Sequence, residues 1–182
     1  MQRFILTGAP GAGKTAILRA LEVRGFGVVE EAATDVIALS DARGVAEHWT
    51  HPGFIEAITD LQTARRERAS ALPEAVQIHD RGPPCVLALA EFLGLPVPPD
   101  LSNALALDAY ERRVLFVRLQ GYVTPTAARR ISYEDSLRFE AVHEAVYRRL
   151  GYELVEIAPG PLGDRVAAVL AVIAPCQPSN AC

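Results

Sequence analysis

Two periodicities share the chain. Short apolar runs read as β-strands at residues 3–7, 27–30, 75–80, 113–119 and 153–157. Between them the apolar positions fall three and four apart, the spacing of a helix face. After the first run, Ile17, Leu18 and Leu21 share one side of a helix that ends near Gly25. Residues 32–39 predict a second helix. Over 54–72, Phe54, Ile55, Ile58, Leu61, Ala64 and Ala69 lie opposite Glu56, Asp60, Arg66 and Glu67, and Pro73 ends or interrupts that helix. Residues 84–94 and 101–107 predict short helices joined by a stiff proline-rich connection. A long helix follows Ser132, with Asp135 three residues on as in a capping box; its stripe is Phe139, Val142, Val146 and Leu150, and Gly151 stops it. A last helix covers 162–174. Residues 40–53 and 120–131 have no strong period and predict loops. Strands alternating with helices make this an α/β chain, a parallel sheet with helices on both faces. At 182 residues it predicts one domain over 1–174, with 175–182 a flexible tail.

The segment between the first strand and the first helix carries the chemistry. Gly8-Ala9-Pro10-Gly11-Ala12-Gly13-Lys14-Thr15 fits G-x-x-x-x-G-K-[ST], a phosphate-binding loop set between strand and helix as that motif requires. Glycine lets the backbone turn tightly and bring N–H groups against phosphate oxygens, and the helix N-terminus adds donors and a favourable dipole end. Gly8, Gly11, Ala12, Gly13, Lys14 and Thr15 therefore form the expected nucleotide cradle. Lys14 would neutralise β/γ-phosphate charge, and the Thr15 hydroxyl would hold Mg²⁺. Lys14 is the only lysine; the other 17 basic residues are arginine.

Composition narrows the partners. A formal net charge of −4 argues against nucleic acid as the main ligand, because a phosphate backbone demands a basic face. No segment approaches the apolar length of a membrane span. The N-terminus enters the first strand at once, leaving no room for a signal peptide, and Cys85, Cys176 and Cys182 have no metal-ligand spacing. A cytoplasmic protein is expected.

Further candidates lie where ligands bind in open α/β sheets, beyond the carboxyl ends of strands. Glu30 and Glu31 close the second strand; one can face the site, or both can simply sit at an acidic helix start. Asp80 ends the third strand and can organise Mg²⁺ or accept a substrate proton, with Arg81 beside it to bind substrate or phosphate; the bland reading is a strand-to-loop turn. Gln62 and Arg66, spaced i, i+4, can point together into a cleft or line a solvated helix face. Arg129 and Arg130 fall in the loop at 120–131, which would serve as a lid closing over triphosphate and stabilising transferred charge, or would be a charge run before a helix. His48 and His51 have a metal-like spacing without a third ligand in view, and Trp49 either walls a pocket or covers the core. His143, beside the long helix's stripe, reads as structural.

Several nucleotide-binding classes are excluded by particular residues. A guanine-reading Asn-Lys-x-Asp motif needs a second lysine, and Asp80-Arg81-Gly82-Pro83 has proline where a GTPase has glycine. A motor-type ATPase would follow the strand-end acid with glutamate, and here Arg81 follows. A small-molecule kinase needs a phosphate loop, an acid at the third strand end, an acceptor pocket and an arginine-bearing lid, and candidates for all four occur in that order.

With these residues in hand, the chain resembles the small bacterial AAA-type P-loop family similar to the kinase domain of ribosylnicotinamide kinases, and more distantly nucleoside and nucleotide kinases. The matching pieces are 4–15, Glu30-Glu31-Ala32-Ala33, Gln62, Asp80-Arg81-Gly82, 94–99, Arg130 and 150–155. Thr34 stands where that family often has arginine. The resemblance implies a three-layer P-loop NTPase fold with a five-stranded parallel sheet in the order 2-3-1-4-5. It also implies ATP with Mg²⁺, and phosphoryl transfer to a small hydroxyl acceptor. The expected activity is a phosphotransferase using a nucleoside-like metabolite. In that scheme Lys14, Asp80, Arg129 and Arg130 are catalytic. Thr15 and Asp80 hold the metal, and Glu31, Gln62, Arg66 and Arg81 bind the acceptor. The alternative is a nucleotide-dependent regulatory protein with slow hydrolysis and no acceptor.

Overall fold

The strands with the most continuous apolar runs take the middle of the sheet, where both faces are covered. In the computed structural model, which describes residues 1–45, 47–51, 53–120 and 132–173, these are β1 (Gln2–Thr7), β3 (Val76–Asp80) and β4 (Arg113–Val117). Every residue of β3 is buried, as are Phe4 to Thr7 of β1 and Val114 to Val117 of β4. The shorter β2 (Gly27–Val29) and the more exposed β5 (Glu153–Ile157) form the edges. All pairings are parallel, in the order β2-β3-β1-β4-β5 expected from the resemblance.

One face carries α1 (Lys14–Glu22) and α7 (Leu162–Ile173). Ile17, Leu18 and Leu21 from α1 and Val166, Val169 and Ile173 from α7 pack on Phe4, Leu6, Ile78, Leu115 and Val117. The other face is thicker. Ile5 and Val114 meet Cys85 and Tyr147, and behind them α3 (Phe54–Ala69), α4 (Pro83–Leu93), α5 (Pro99–Ala106) and α6 (Tyr133–Arg149) share a second apolar cluster that includes Ile55, Ile58, Val86, Leu101 and Val146. The expected cap of α6 is present: the Asp135 N–H donates to Ser132 Oγ at 3.0 Å, and that hydroxyl donates to Asp135 Oδ2 at 2.8 Å.

The described residues of 40–45 and 47–51 hold more regular structure than their pattern predicts. The second helix, α2 (Ala33–Ala42), runs through Ser40, whose hydroxyl folds back on the Val36 carbonyl, and it ends only before Gly44 in the left-handed region. A 3-10 turn follows at His48–Thr50. β2 stops at Val29 rather than Glu30, whose carboxylate pairs with Arg19 and whose carbonyl accepts from Arg65 Nη1 at 3.3 Å. Among the described residues, no helix is long and apolar enough to cross a membrane.

Candidate functional site

The loop between β1 and α1 leaves the sheet at the carboxyl end of β1, where the connections diverge to β2 on one side and β4 on the other, the switch point at which such sheets bind ligands. Gly8, Gly11 and Gly13 all take positive φ. At Gly8 a Cβ would collide with the Val117 carbonyl oxygen, so backbone packing there admits glycine alone. Lys14 folds back over the loop and donates to the carbonyls of Gly8 at 3.0 Å and Ala9 at 3.2 Å. Burial, and then the charge of Arg81, pull its pKa down to about 8 against the opposing pull of Asp80 and Glu31. Thr15 lies exposed in the first turn of α1.

Beside this loop, β3 ends in a buried polar chain. Asp80 is buried, and the Arg81 N–H continues the ladder by donating to the Leu6 carbonyl at 2.9 Å. Arg81 itself has φ +70, a left-handed conformation rarely held by a residue with a side chain and characteristic of functional sites. Its guanidinium, also buried, forms an ion pair with Glu31, Nε to Oε1 at 2.7 Å, and donates through Nη1 to the Cys85 sulfur at 2.9 Å. Burial alone would lower the Arg81 pKa. The carboxylates of Glu31 and Asp80, with the hydrogen bond to Cys85, outweigh it, so the group stays charged.

His143 closes the chain. Its Nδ1 lies 3.0 Å from the Phe139 carbonyl, which can only accept, so the ring proton sits on Nδ1. Nε2 is then a lone pair facing the Cys85 thiol at 2.9 Å and Arg81 Nη1 at 3.3 Å. Burial and the Arg81 charge hold the imidazole neutral, and burial pushes the Cys85 thiol up, so both stay uncharged at neutral pH.

A cavity of about 1350 Å³ opens next to Arg81 and reaches Pro10 of the loop. Its walls come from α2 and the 3-10 turn (Ile37, Trp49), α3 (Ile58, Gln62), α4 (Cys85, Phe92) and α6 (Phe139). Carboxylates of Glu31, Asp41, Glu47 and Asp135 line it with two arginines. Both arginines are ion-paired, Arg81 with Glu31 and Arg138 with Asp135 at 3.1 Å. Polar groups converging on an apolar cavity beside an anion-binding loop can orient a small molecule against a bound phosphate.

The sequence matches a family model described as an AAA domain over residues 3–165, nearly its whole length. The chain belongs to the AAA domain family. No curated protein matches it significantly. Solved structures share the fold at low identity. A deoxyadenosine kinase from M. mycoides with the products dCMP and a flexible dCDP bound is 13% identical with a TM-score of 0.64, covering 96% of this chain and 100% of its own. NadR in complex with NR is 17% identical with a TM-score of 0.65 over 93% of this chain, which spans 50% of that one. A shikimate kinase from Acinetobacter baumannii in complex with shikimate is 15% identical with a TM-score of 0.54, covering 97% and 95%. The AAA domain here is thus built on the kinase-like P-loop fold.

Within this AAA domain the candidate residues divide. The loop residues, Glu31, Gln62, Asp80 and Arg81 gather at the carboxyl edge of the sheet. Arg66 does not join them: it lines a separate cavity of about 340 Å³ between α3 and α5, near Asp100 and Asn103. The i, i+4 spacing puts Gln62 and Arg66 on one helix face, but Arg66 is a turn further along, about 6 Å down the axis. Arg129 and Arg130 lie outside the described residues, as do Cys176 and Cys182. Trp49 walls the large cavity. His48 packs edge-on against Trp49 at 4.7 Å, with Nδ1 3.7 Å from Asp41 Oδ1. No group of three or more metal-type ligands occurs among the described residues. His143 is buried, as a structural histidine is, and Cys85 is buried beside it; both also neighbour Arg81, a placement no local pattern flags, since 58 residues separate the two.

Proposed function

We propose that this AAA domain protein is an ATP-dependent phosphotransferase that moves the γ-phosphoryl group to a hydroxyl of a small, nucleoside-like metabolite. The observation that carries this reading is the convergence at one sheet edge of the phosphate loop with the Asp80–Arg81–Glu31 group and a cavity large enough for such an acceptor. Loop amides from Gly8 to Thr15 and the Lys14 ammonium hold the phosphates. That ammonium lies over the loop, on the carbonyls of Gly8 and Ala9. Asp80 takes the acceptor's proton as the hydroxyl attacks. Glu31, Gln62 and Arg81 fix the acceptor, and Arg129 and Arg130 stabilise charge on the group in flight. Arg66 has no part in this scheme. Rate enhancement comes from positioning and electrostatics.

Mg²⁺ fits the residues available. The Thr15 hydroxyl and the Asp80 carboxylate are hard oxygen donors at the same sheet edge, the donor type this ion requires. When bound, the ion would neutralise β/γ-phosphate charge. The cavity also suggests the charge of the acceptor. Its two lining arginines are already paired and two further carboxylates remain, so a neutral or cationic ring is favoured over a phosphomonoester or a carboxylate. Its aromatic walls, Trp49, Phe92 and Phe139, suit a flat ring. The domain extends over residues 1–174, and the cytoplasm is the proposed compartment.

The test is ADP release from Mg²⁺-ATP across nucleosides, nicotinamide riboside, sugars and aminoglycosides, with Lys14→Ala as control. Stimulation by one compound that the variant lacks supports a kinase. A flat panel with nucleotide still bound contradicts it and favours a nucleotide-gated regulatory protein.

A further inference from the structure

The last helix reaches under the phosphate loop. Arg165 lies in the first turn of α7, its backbone held by a hydrogen bond to the Pro161 carbonyl at 3.2 Å. Its side chain is 6% exposed and runs toward the loop, where Nη2 donates to the carbonyl oxygen of Ala12. Nη1 sits so close to Gly13 that a Cβ there would stand 2.7 Å from it. Glycine at position 13 is favoured by its φ of +83, and a Cβ there would press on the guanidinium beside it. This reach is anchored. Val166 and Val169 of α7 share the apolar cluster with Ala12, Ile17, Leu18 and Leu21, which fixes the α7 backbone against the loop and α1.

The consequence lies in one peptide group. In a trans peptide the carbonyl and the following N–H point in opposite directions. With the Ala12 carbonyl taken from the α7 side, the Gly13 N–H points away from α7. Loops of this motif turn such N–H groups onto phosphate oxygens. A charged donor on the carbonyl polarises the peptide and strengthens the N–H as a donor, as in any hydrogen-bond chain.

We infer that Arg165 is a positioning residue for the phosphate loop: its guanidinium holds the Ala12–Gly13 peptide from behind and presents the Gly13 amide to the bound phosphate. This rests on the nucleotide-binding reading above. It assigns α7, which lines no part of the acceptor cavity, a role in phosphate affinity.

The experiment compares full-length wild type, Arg165→Met, Arg165→Lys and Lys14→Ala by calorimetric titration with Mg²⁺-ATP and with pyrophosphate, which probes the phosphate site alone. Titrations are run well below each unfolding midpoint, so that only folded protein is read. Arg165→Met is expected to weaken both ligands about tenfold, the scale of one charge-assisted hydrogen bond, and Arg165→Lys to recover most of the loss. In the ligand-free proteins, the Gly13 amide proton resonance is expected to move upfield in Arg165→Met. A merely structural role would lower the midpoint and leave ATP affinity within twofold of wild type, and that result overturns the inference. If Arg165→Met does not fold, unchanged affinity together with an unshifted Gly13 resonance in Arg165→Gln overturns it equally. Wild type that binds neither ligand defeats the nucleotide-binding reading itself, a failure distinct from loss of the Arg165 effect alone.

Discussion

The phosphate loop and the large cavity meet at Arg81 and are built in opposite ways. The loop is eight consecutive residues whose shape is set by backbone: positive φ at Gly8, Gly11 and Gly13, a close approach at Val117, and a lysine turned onto its own carbonyls. The cavity is a void of about 1350 Å³ lined by side chains that run from Pro10 to Phe139, drawn from most of the helices on one face. The first kind of site recognises a group common to all nucleotides and tolerates little change. The second recognises whatever its side chains permit, so loops and helices around it can vary without disturbing the sheet. A common fold with differing ligands among the solved neighbours is what that division leads one to expect.

The sharpest break in the comparison is Lys14→Ala. It removes the loop's only ammonium and should cut turnover by about 100-fold or more, with the circular dichroism spectrum unchanged. Asp80→Asn comes next. It should lower the rate of transfer by about 100-fold while ATP affinity, measured by titration, stays within a few-fold, because in the proposed scheme Asp80 acts as base on the acceptor side. Equal losses in both would move Asp80 to the phosphate side as a metal ligand only. Gln62→Ala should raise the acceptor KM by about fivefold, the worth of one hydrogen bond, and leave the ATP KM alone. The single tryptophan, Trp49, lines the same cavity, so its fluorescence offers a direct reading of acceptor affinity in that variant.

The smallest effect is a proton. With its pKa near 8 in the free protein, Lys14 is partly neutral above that pH, and bound phosphate favours the charged form. ATP binding should therefore take up more of a proton above pH 8 than at pH 7, and affinity should fall as pH rises past 8. Calorimetry in buffers of different ionisation enthalpy measures this uptake, and Lys14→Ala should abolish it.

The same contrast explains what the sequence made legible. The strand, loop and helix over residues 2–22 could be read because each signal is local: an apolar run, a glycine pattern, a helical stripe. Asp80 and Glu31 could be placed by their position at strand ends. Gln62 and Arg66 show the limit, since helical spacing gives the face but not the distance along the axis at which a cavity begins. Cys85, His143 and Arg165 could not be found that way. Their roles rest on contacts spanning 58 residues between Cys85 and His143 and 153 between Arg165 and Ala12, and nothing in the neighbouring sequence announces such pairings. The end of α2 at 40–42 is illegible for a smaller reason: α2 has no fully buried residue, so its apolar signal is weak where it lines the cavity.

The central claim is that the phosphate held by the loop passes to a molecule held in the cavity. The direct measurement incubates the protein with Mg²⁺ and γ-labelled ATP in the presence of a compound that stimulates ADP release, and follows where the label goes. The account predicts label on the acceptor, lost in Asp80→Asn while that variant still binds ATP. Label found only in inorganic phosphate, at a rate indifferent to every compound, would contradict it.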